Sequence, residues 1–307
     1  MLSSVAADEK LEVVGSAHSY TTPAATLWGK TPVALKDIPQ SVSVVTQQRM
    51  EDQNMQSMTD VLKQVTGVTI QPNDTTNSQY YARGYSLNVT TDGTPSYGAL
   101  GNGGATFDTA IYDRVEMLRG SAGMLQGSGD LGGTVNMVTK KPKDNFVISG
   151  AATAASWNNY RGDIDISVPL NQARTLRFRT VDSFQNKNFF YSASEDRKWL
   201  AYGALEYDLR PGTTFLVSHA AQHENVTANY SGLPTYMDGS LMYSHRSVNP
   251  TPPWTTNNWM TQQTLASVTQ KLWRNWELTA KASIRDQNQH NRDVFALSAL
   301  NPENDTL

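Results

Sequence analysis

Cysteine is absent from all 307 residues, which excludes disulfides, thiolate-ligated zinc, iron–sulfur clusters and thiol nucleophiles. Charge is scarce: Asp, Glu, Lys and Arg make up 17% of the chain, against ~25% in an ordinary soluble domain. The 25 basic and 28 acidic residues leave a net charge of -3, so the basic surplus of a dedicated nucleic-acid binder is missing. No apolar run approaches the ~18 residues that a transmembrane helix needs, and a membrane role has to go through a β-barrel. Thr, Ser, Asn, Gln and Gly fill the gap, the composition of alternating strands whose polar faces are wet rather than ionic. At 307 residues the chain is long enough for one large domain or two ordinary ones.

Two textures divide the chain. Residues 8–36 show no period and read as a flexible leader, preceded by Ser4-Val5-Ala6, the small-x-Ala pattern that ends a secretory signal, without the basic and apolar regions that normally stand before it. Ser41-Val42-Ser43-Val44-Val45 predicts a strand, and Met58, Val61, Leu62 and Val65 have the i, i+3, i+4, i+7 spacing of a helix, with Gly67 expected as its C-cap. Short strands are expected at Val68 to Ile70 and Tyr80 to Tyr85. Asp92-Gly93 signals a turn into the Gly-rich loop Tyr97 to Ala105. A helical turn at Asp108 to Asp113, a strand at Val115 to Leu118, a glycine-dense connection and a strand at Thr134 to Thr139 complete an α+β unit.

After Pro142 helical periodicity gives way to period two. Trp199, Ala201, Gly203, Leu205, Tyr207 and Leu209 alternate with Tyr202, Ala204, Glu206, Asp208 and Arg210. Ile164, Ile166, Val168 and Leu170 alternate with Asp163, Asp165 and Ser167, and Trp276, Leu278, Ala280, Ala282 and Ile284 with Glu277, Thr279, Lys281, Ser283 and Arg285. Strands of ~10 residues, aromatics near strand ends and connections that alternate between short and long point to a barrel with lipid outside and water within. The tight turns are expected near Asn171-Gln172, Pro211-Gly212 and Arg274-Asn275, and the longer connections at Trp157 to Tyr160, Asn186 to Asp196 and Val226 to Asn258.

Three motifs invite chemistry. Gly127-Ser128-Gly129-Asp130-Leu131-Gly132 spells G-x-G-x-x-G, but a dinucleotide fingerprint must open a helix, and β-branched Thr134 to Thr139 predicts a strand. His219 and His223 have zinc-ligand spacing only on a helix; on a strand they lie ~13 Å apart at ~3.3 Å per residue, so they are expected as wall residues and no metal site is assigned. No catalytic constellation emerges. Asp8 to Val14 is an acidic-apolar strip suited to adding as a strand to a partner's sheet edge.

Taken together these segments resemble the TonB-dependent outer-membrane receptors, and within them the ferric-siderophore receptors. The run Asp113-Arg114-Val115-Glu116-Met117-Leu118-Arg119-Gly120 through Gly132-Gly133-Thr134-Val135-Asn136-Met137-Val138-Thr139-Lys140-Lys141-Pro142 resembles the end of the family's plug domain. Ile38 to Thr46, Arg83-Gly84-Tyr85 and Asp92-Gly93 match its beginning and middle in order. The resemblance implies a leader at 1–36, an α+β plug domain at 37–142, and at 143–307 the first strands of an antiparallel transmembrane β-barrel, about seven of roughly 22.

The resemblance also implies roles. Glu9, Lys10, Leu11, Glu12, Val13 and Val14 become the TonB box that pairs with the energy-transducing TonB protein. Arg83 and Arg119 become plug cations that pair with glutamates on later barrel strands. Tyr97, Leu100 and Asn102 on the Gly-rich loop, with Trp157 and Tyr230 on outer loops, become ligand contacts, since aromatics suit the greasy and amide surface of a ferric chelate. The implied partners are a ferric siderophore, most similar to the hydroxamate and ferric-coprogen type, the TonB protein and outer-membrane lipid, with no nucleic acid. Iron travels inside the ligand, so no cofactor and no enzymatic activity are expected, and the implied location is the outer membrane. The expectation is the N-terminal part of such a receptor; its alternative is a truncated, transport-incompetent chain with a folded plug and residual TonB or ligand binding.

Overall fold

A computed structural model describes residues 19–27, 32–96, 106–120, 131–228, 233, 235–241, 245–273 and 276–294. These fall into two compact units. Residues 19–70, 80–96 and 112–139 belong to the first; 71–79, 106–111 and the described residues from 140 onward belong to the second.

The first unit begins with a two-stranded ribbon, β1 (Ala24–Ala25) and β2 (Val33–Ala34). Next come β3 (Val42–Thr46), α1 (Gln47–Asp52) and α2 (Met58–Lys63). Thr46 caps α1 by accepting from Arg49 N at 3.4 Å. Ser57 and Asp60 form a reciprocal capping box that opens α2, satisfying two of the backbone donors left free at a helix start. The apolar stripe read from the sequence is the buried face of α2, where Met58, Val61 and Leu62 are fully covered. Gly67 is not the C-cap: α2 ends at Lys63 with Gln64 as its cap, and Gly67, at φ +81°, turns the chain toward the next strand.

That strand is β4 (Val68–Pro72), followed by β5 (Ser78–Ala82), β6 (Tyr85–Thr91), β7 (Thr94–Pro95), β8 (Tyr112–Arg119) and β9 (Gly133–Thr139). The single strand expected at Tyr80 to Tyr85 is a hairpin, because Arg83 (φ +52°) and Gly84 (φ +82°) turn the backbone between β5 and β6. The sheet order is β3-β8-β9-β6-β5-β4, with β7 on β6 and β6 parallel to β9. Every residue of β9 is buried. It is a central strand and cannot be the helix of a dinucleotide fold.

In the second unit β10 (Val147–Ala155), β11 (Asn159–Pro169), β12 (Leu176–Asn188), β13 (Glu195–Arg210), β14 (Thr213–Thr227), β15 (Thr256–Lys271) and β16 (Glu277–Arg292) form an antiparallel meander in chain order. Seven strands match the count read from the period-two runs. Most are longer than the ~10 residues expected: β13, β15 and β16 have 16 residues each, or ~50 Å at ~3.3 Å per residue, more than a hydrocarbon layer of ~30 Å requires.

The two faces have opposite chemistry. On β13, Trp199, Leu205 and Leu209 are 40%, 43% and 53% exposed, whereas Leu200, Tyr202 and Ala204 are at most 3% exposed. In cross-strand register Trp199 stands between Phe184 and His223, and Leu205 between Phe178 and Val217, so the exposed face carries an apolar band suited to lipid, interrupted by Asp182, His219 and His223. The tight turn at Pro211-Gly212 and the backbone bond from Leu272 N to the Trp276 carbonyl lie at one end of the sheet; the turn expected at Arg274-Asn275 lies outside the described residues. The end that carries the long connection 228–255 also carries the first turn, at 156–158, which is a tight hairpin rather than a longer loop, with Trp157 and Asn158 both at positive φ.

Candidate functional site

The covered face of the meander holds charge that the sequence pattern leaves unpaired. Asp108, fully buried, starts the short 3-10 turn Thr109–Ile111 and accepts from Ala110 N at 3.0 Å. Arg161 of β11 donates to it through both terminal nitrogens, at 2.7 and 2.9 Å, and Lys198 Nζ of β13 lies 2.8 Å away. Arg161 is also held by Asp163 on its own strand, so the fork is fixed before it meets its partner. Gln222 of β14 completes the grip on the backbone, accepting from Asp108 N at 2.7 Å and donating to the Thr106 carbonyl at 3.0 Å. Phe107, also buried, lies 5.3 Å from the guanidinium of Arg285 on β16.

A second set of contacts repeats the device on the segment that leads into β10. Asp165 binds Lys140 Nζ at 2.9 Å and the Arg179 guanidinium at 2.7 and 2.8 Å. Arg179 also donates to the Lys141 carbonyl, Tyr202 Oη to the Lys140 carbonyl, and Lys143 N to Ser167 Oγ. Strands β11 to β14 thereby hold residues 106–111 and 140–143 with side chains that point into the covered face. Burial alone would raise the Asp108 carboxyl; Lys198 and Arg161 reverse that and hold it well below the usual carboxylate range. A carboxylate depressed by folding contributes its stability above the ordinary pKa of ~4 and loses it only as pH falls through the lower folded value. Protection of 106–111 against amide exchange, corrected for intrinsic rate, is therefore expected to be equal at pH 8 and pH 5; a loss at pH 5 contradicts the ionised cluster.

The first unit has its own buried charge. Glu116 on β8 has no exposed surface, and accepts from Arg114 Nε at 2.8 Å, from Thr26 N at 3.1 Å, from Thr26 Oγ1 at 2.9 Å and from Asn136 Nδ2 at 3.3 Å. Asn136 Oδ1 in turn accepts from Thr90 Oγ1 and Gly93 N, both at 2.9 Å. Asp92 accepts from Thr139 N and Oγ1 at 3.1 and 2.6 Å. The Asp92-Gly93 turn is thus fixed from below by β9.

The residues expected from sequence are only partly placed. Glu9 to Val14, Tyr97, Leu100, Asn102 and Tyr230 lie outside the described residues. Arg83 is an exposed turn residue. Arg119 donates to the Thr66 carbonyl at 2.7 Å, to Ser41 Oγ and to Ser43 Oγ at 2.8 Å, partners within the first unit. Trp157 is exposed on its hairpin, whose carbonyl accepts from Asn188 N at 2.8 Å. His219 bonds to Thr264 and His223 stacks on Trp199; both are wall residues, and among the described residues no cluster is suited to a metal. Asp108, Arg161, Lys198, Glu116 and Asn136 were not singled out by sequence. The one signal for Glu116 is an acid at the centre of the apolar run Val115 to Leu118.

Residues 34–134 match the plug domain family of the TonB-dependent receptors. The structure is similar to the ferripyoverdine receptor of Pseudomonas aeruginosa bound to ferripyoverdine, at 31% identity and a TM-score of 0.83, over 93% of this chain and 40% of that one. The shared region contains both units, plug and meander. Residues 34–134 are a TonB-dependent receptor plug domain, and the seven-stranded meander after it matches the opening barrel strands of that receptor. Curated relatives include the ferric-pyoverdine M114 receptor of Pseudomonas sp. strain M114, 37% identical over 242 residues, 77% of this chain and 29% of that protein. The ferripyoverdine receptor of P. aeruginosa is 35% identical over 248 residues, 78% and 30% of the two chains. The chain thus spans under a third of the length of these relatives, which are receptors rather than enzymes and carry pyoverdine, not coprogen, in their names.

Proposed function

We propose that the chain is the N-terminal part of a receptor that binds a ferric siderophore and imports it across the outer membrane, with a ferripyoverdine-class chelate as ligand. The identity to ferric-pyoverdine receptors over more than three quarters of the chain carries this choice over the hydroxamate type that the sequence resemblance suggests. Residues 1–36 serve as leader, 37–142 as plug and 143–307 as barrel. Glu9 to Val14 serve as the TonB box, and Tyr97, Leu100, Asn102, Trp157 and Tyr230 as ligand contacts. Arg83 and Arg119 face glutamates of later barrel strands. Nothing is done to the ligand chemically: the plug's work is to hold, and then yield.

The test uses quenching of the 7 Trp in detergent micelles, with ferripyoverdine and a ferric hydroxamate added separately. Saturable quenching by ferripyoverdine at lower concentration is expected. The reverse order returns the ligand to the hydroxamate class, and no saturable quenching by either overturns the binding assignment. Val13→Pro removes a strand donor. It is expected to abolish capture by the periplasmic domain of TonB while leaving quenching unchanged, and lost quenching contradicts the TonB-box assignment.

A further inference from the structure

The N-terminal segment of the first unit is held by contacts of graded strength. At its outer end Tyr20 Oη donates to Asp52 at 3.0 Å and Thr46 Oγ1 donates to the Ser19 carbonyl at 2.6 Å; the Tyr20 contact is exposed. Then Ala24 and Ala25, both buried, pair with Ala34 and Val33. Last comes Thr26, whose N–H and hydroxyl both donate to the buried Glu116 carboxylate. Hydrogen bonds to a charged acceptor are about twice as strong as neutral ones. Within this segment, then, the firmest anchor is the innermost.

Glu116 is an unusual residue to bury for packing alone. Arg114, 4% exposed, neutralises it, but one guanidinium contact leaves carboxylate lone pairs that a buried site has to satisfy. Thr26 supplies two of those donors across 90 residues of chain. If the segment lifts, the ion pair remains with part of its hydrogen bonding lost, which biases the segment strongly toward the docked state. The same Asn136 that faces Glu116 through Nδ2 holds Thr90 and Gly93 through Oδ1. A side-chain amide cannot rotate to serve one side without disturbing the other.

We infer that Glu116 is the clamp that fixes the N-terminal segment to the plug, and that Asn136 ties this clamp to the Asp92-Gly93 turn. Resting on the assignment of Glu9 to Val14 as TonB box, the clamp sets how readily the handle is released.

The test is amide hydrogen exchange on the 307-residue chain in detergent micelles. Thr26→Val removes one charged hydrogen bond at nearly constant volume and is expected to speed exchange of 19–27 about tenfold, with peptides from α2 and β9 unchanged. Thr26→Ser, which keeps the hydroxyl, is expected to retain the slow rate. Asn136→Ala is expected to speed both 19–27 and 88–93. Unchanged exchange in Thr26→Val, or equal acceleration throughout the plug, overturns the clamp. Capture by the periplasmic domain of TonB separates this from the handle assignment. Thr26→Val is expected to raise capture and Val13→Pro to abolish it, and a Val13→Pro chain that is still captured overturns the handle while leaving the exchange result to decide the clamp.

Discussion

Asp108→Ala is expected to cost the second unit about 3–5 kcal/mol, the range for breaking a buried ion pair from one side. The variant leaves the side chains of Arg161 and Lys198, 5% and 9% exposed, charged and facing the space that the carboxylate filled. Asp163, 24% exposed, retains one face of Arg161, but Lys198 loses its direct partner in the 106–111 segment. Urea unfolding in detergent, with protease sensitivity of 106–111 as a second readout, measures the loss. Arg177→Ala is the contrast. Its partners Asp144 and Asp208 are 68% and 32% exposed, which brings those two pairs toward the ~0–1 kcal/mol of water-screened ion pairs and leaves Glu206, 14% exposed, as its one shielded partner among the three. An Asp108→Ala cost below that of Arg177→Ala would mean that water enters the cluster.

How much of this was legible depends on how far apart the partners lie in sequence. The alternation from Trp199 to Leu209 predicts both the strand and the face it gives to lipid, because side chains on a strand point to opposite sides in turn and the rule is local. The stripe Met58, Val61, Leu62 is equally local and predicts the helix but not its end: Gln64 is the cap, and Gly67 belongs to the turn beyond. The Trp157 to Tyr160 connection, one of the longer ones by the sequence reading, is a tight hairpin, because two consecutive residues at positive φ reverse the chain, a conformation Asn tolerates better than most. The Arg161–Asp108 pair spans 53 positions and Thr26–Glu116 spans 90. Only the register of the folded sheets brings these residues together, so no spacing rule could have paired them. The G-x-G-x-x-G motif shows the converse: its spacing suggested a function that the strand following it excludes.

Gly132→Ala is expected to destabilise the plug by more than ~3 kcal/mol, beyond the usual ~1–3 kcal/mol of an overpacked core. A Cβ at Gly132 would lie 2.6 Å from the Tyr85 carbonyl oxygen, 2.8 Å from that of Ser86 and 3.1 Å from that of Ala82. All three are backbone atoms of the β5–β6 hairpin, so no side chain can swing aside and relief requires moving β6. That strand cannot move freely, since Leu87 to Thr91 pair in parallel with Gly133 to Met137 of β9 and Asn136 holds Thr90 and Gly93. Gly84→Ala separates this steric effect from backbone preference. Gly84 sits at φ +82° with nothing within 4 Å of its added Cβ, so the cost there is conformational, about 1 kcal/mol for a residue held in the left-handed region. Limited proteolysis of the first unit across a urea series distinguishes the two: Gly84→Ala is expected to shift the midpoint slightly and Gly132→Ala to expose β6 and β9 together without denaturant. Equal shifts for both variants would show that β6 can retreat from β9 and that the close approach at Gly132 is not what holds the hairpin in place.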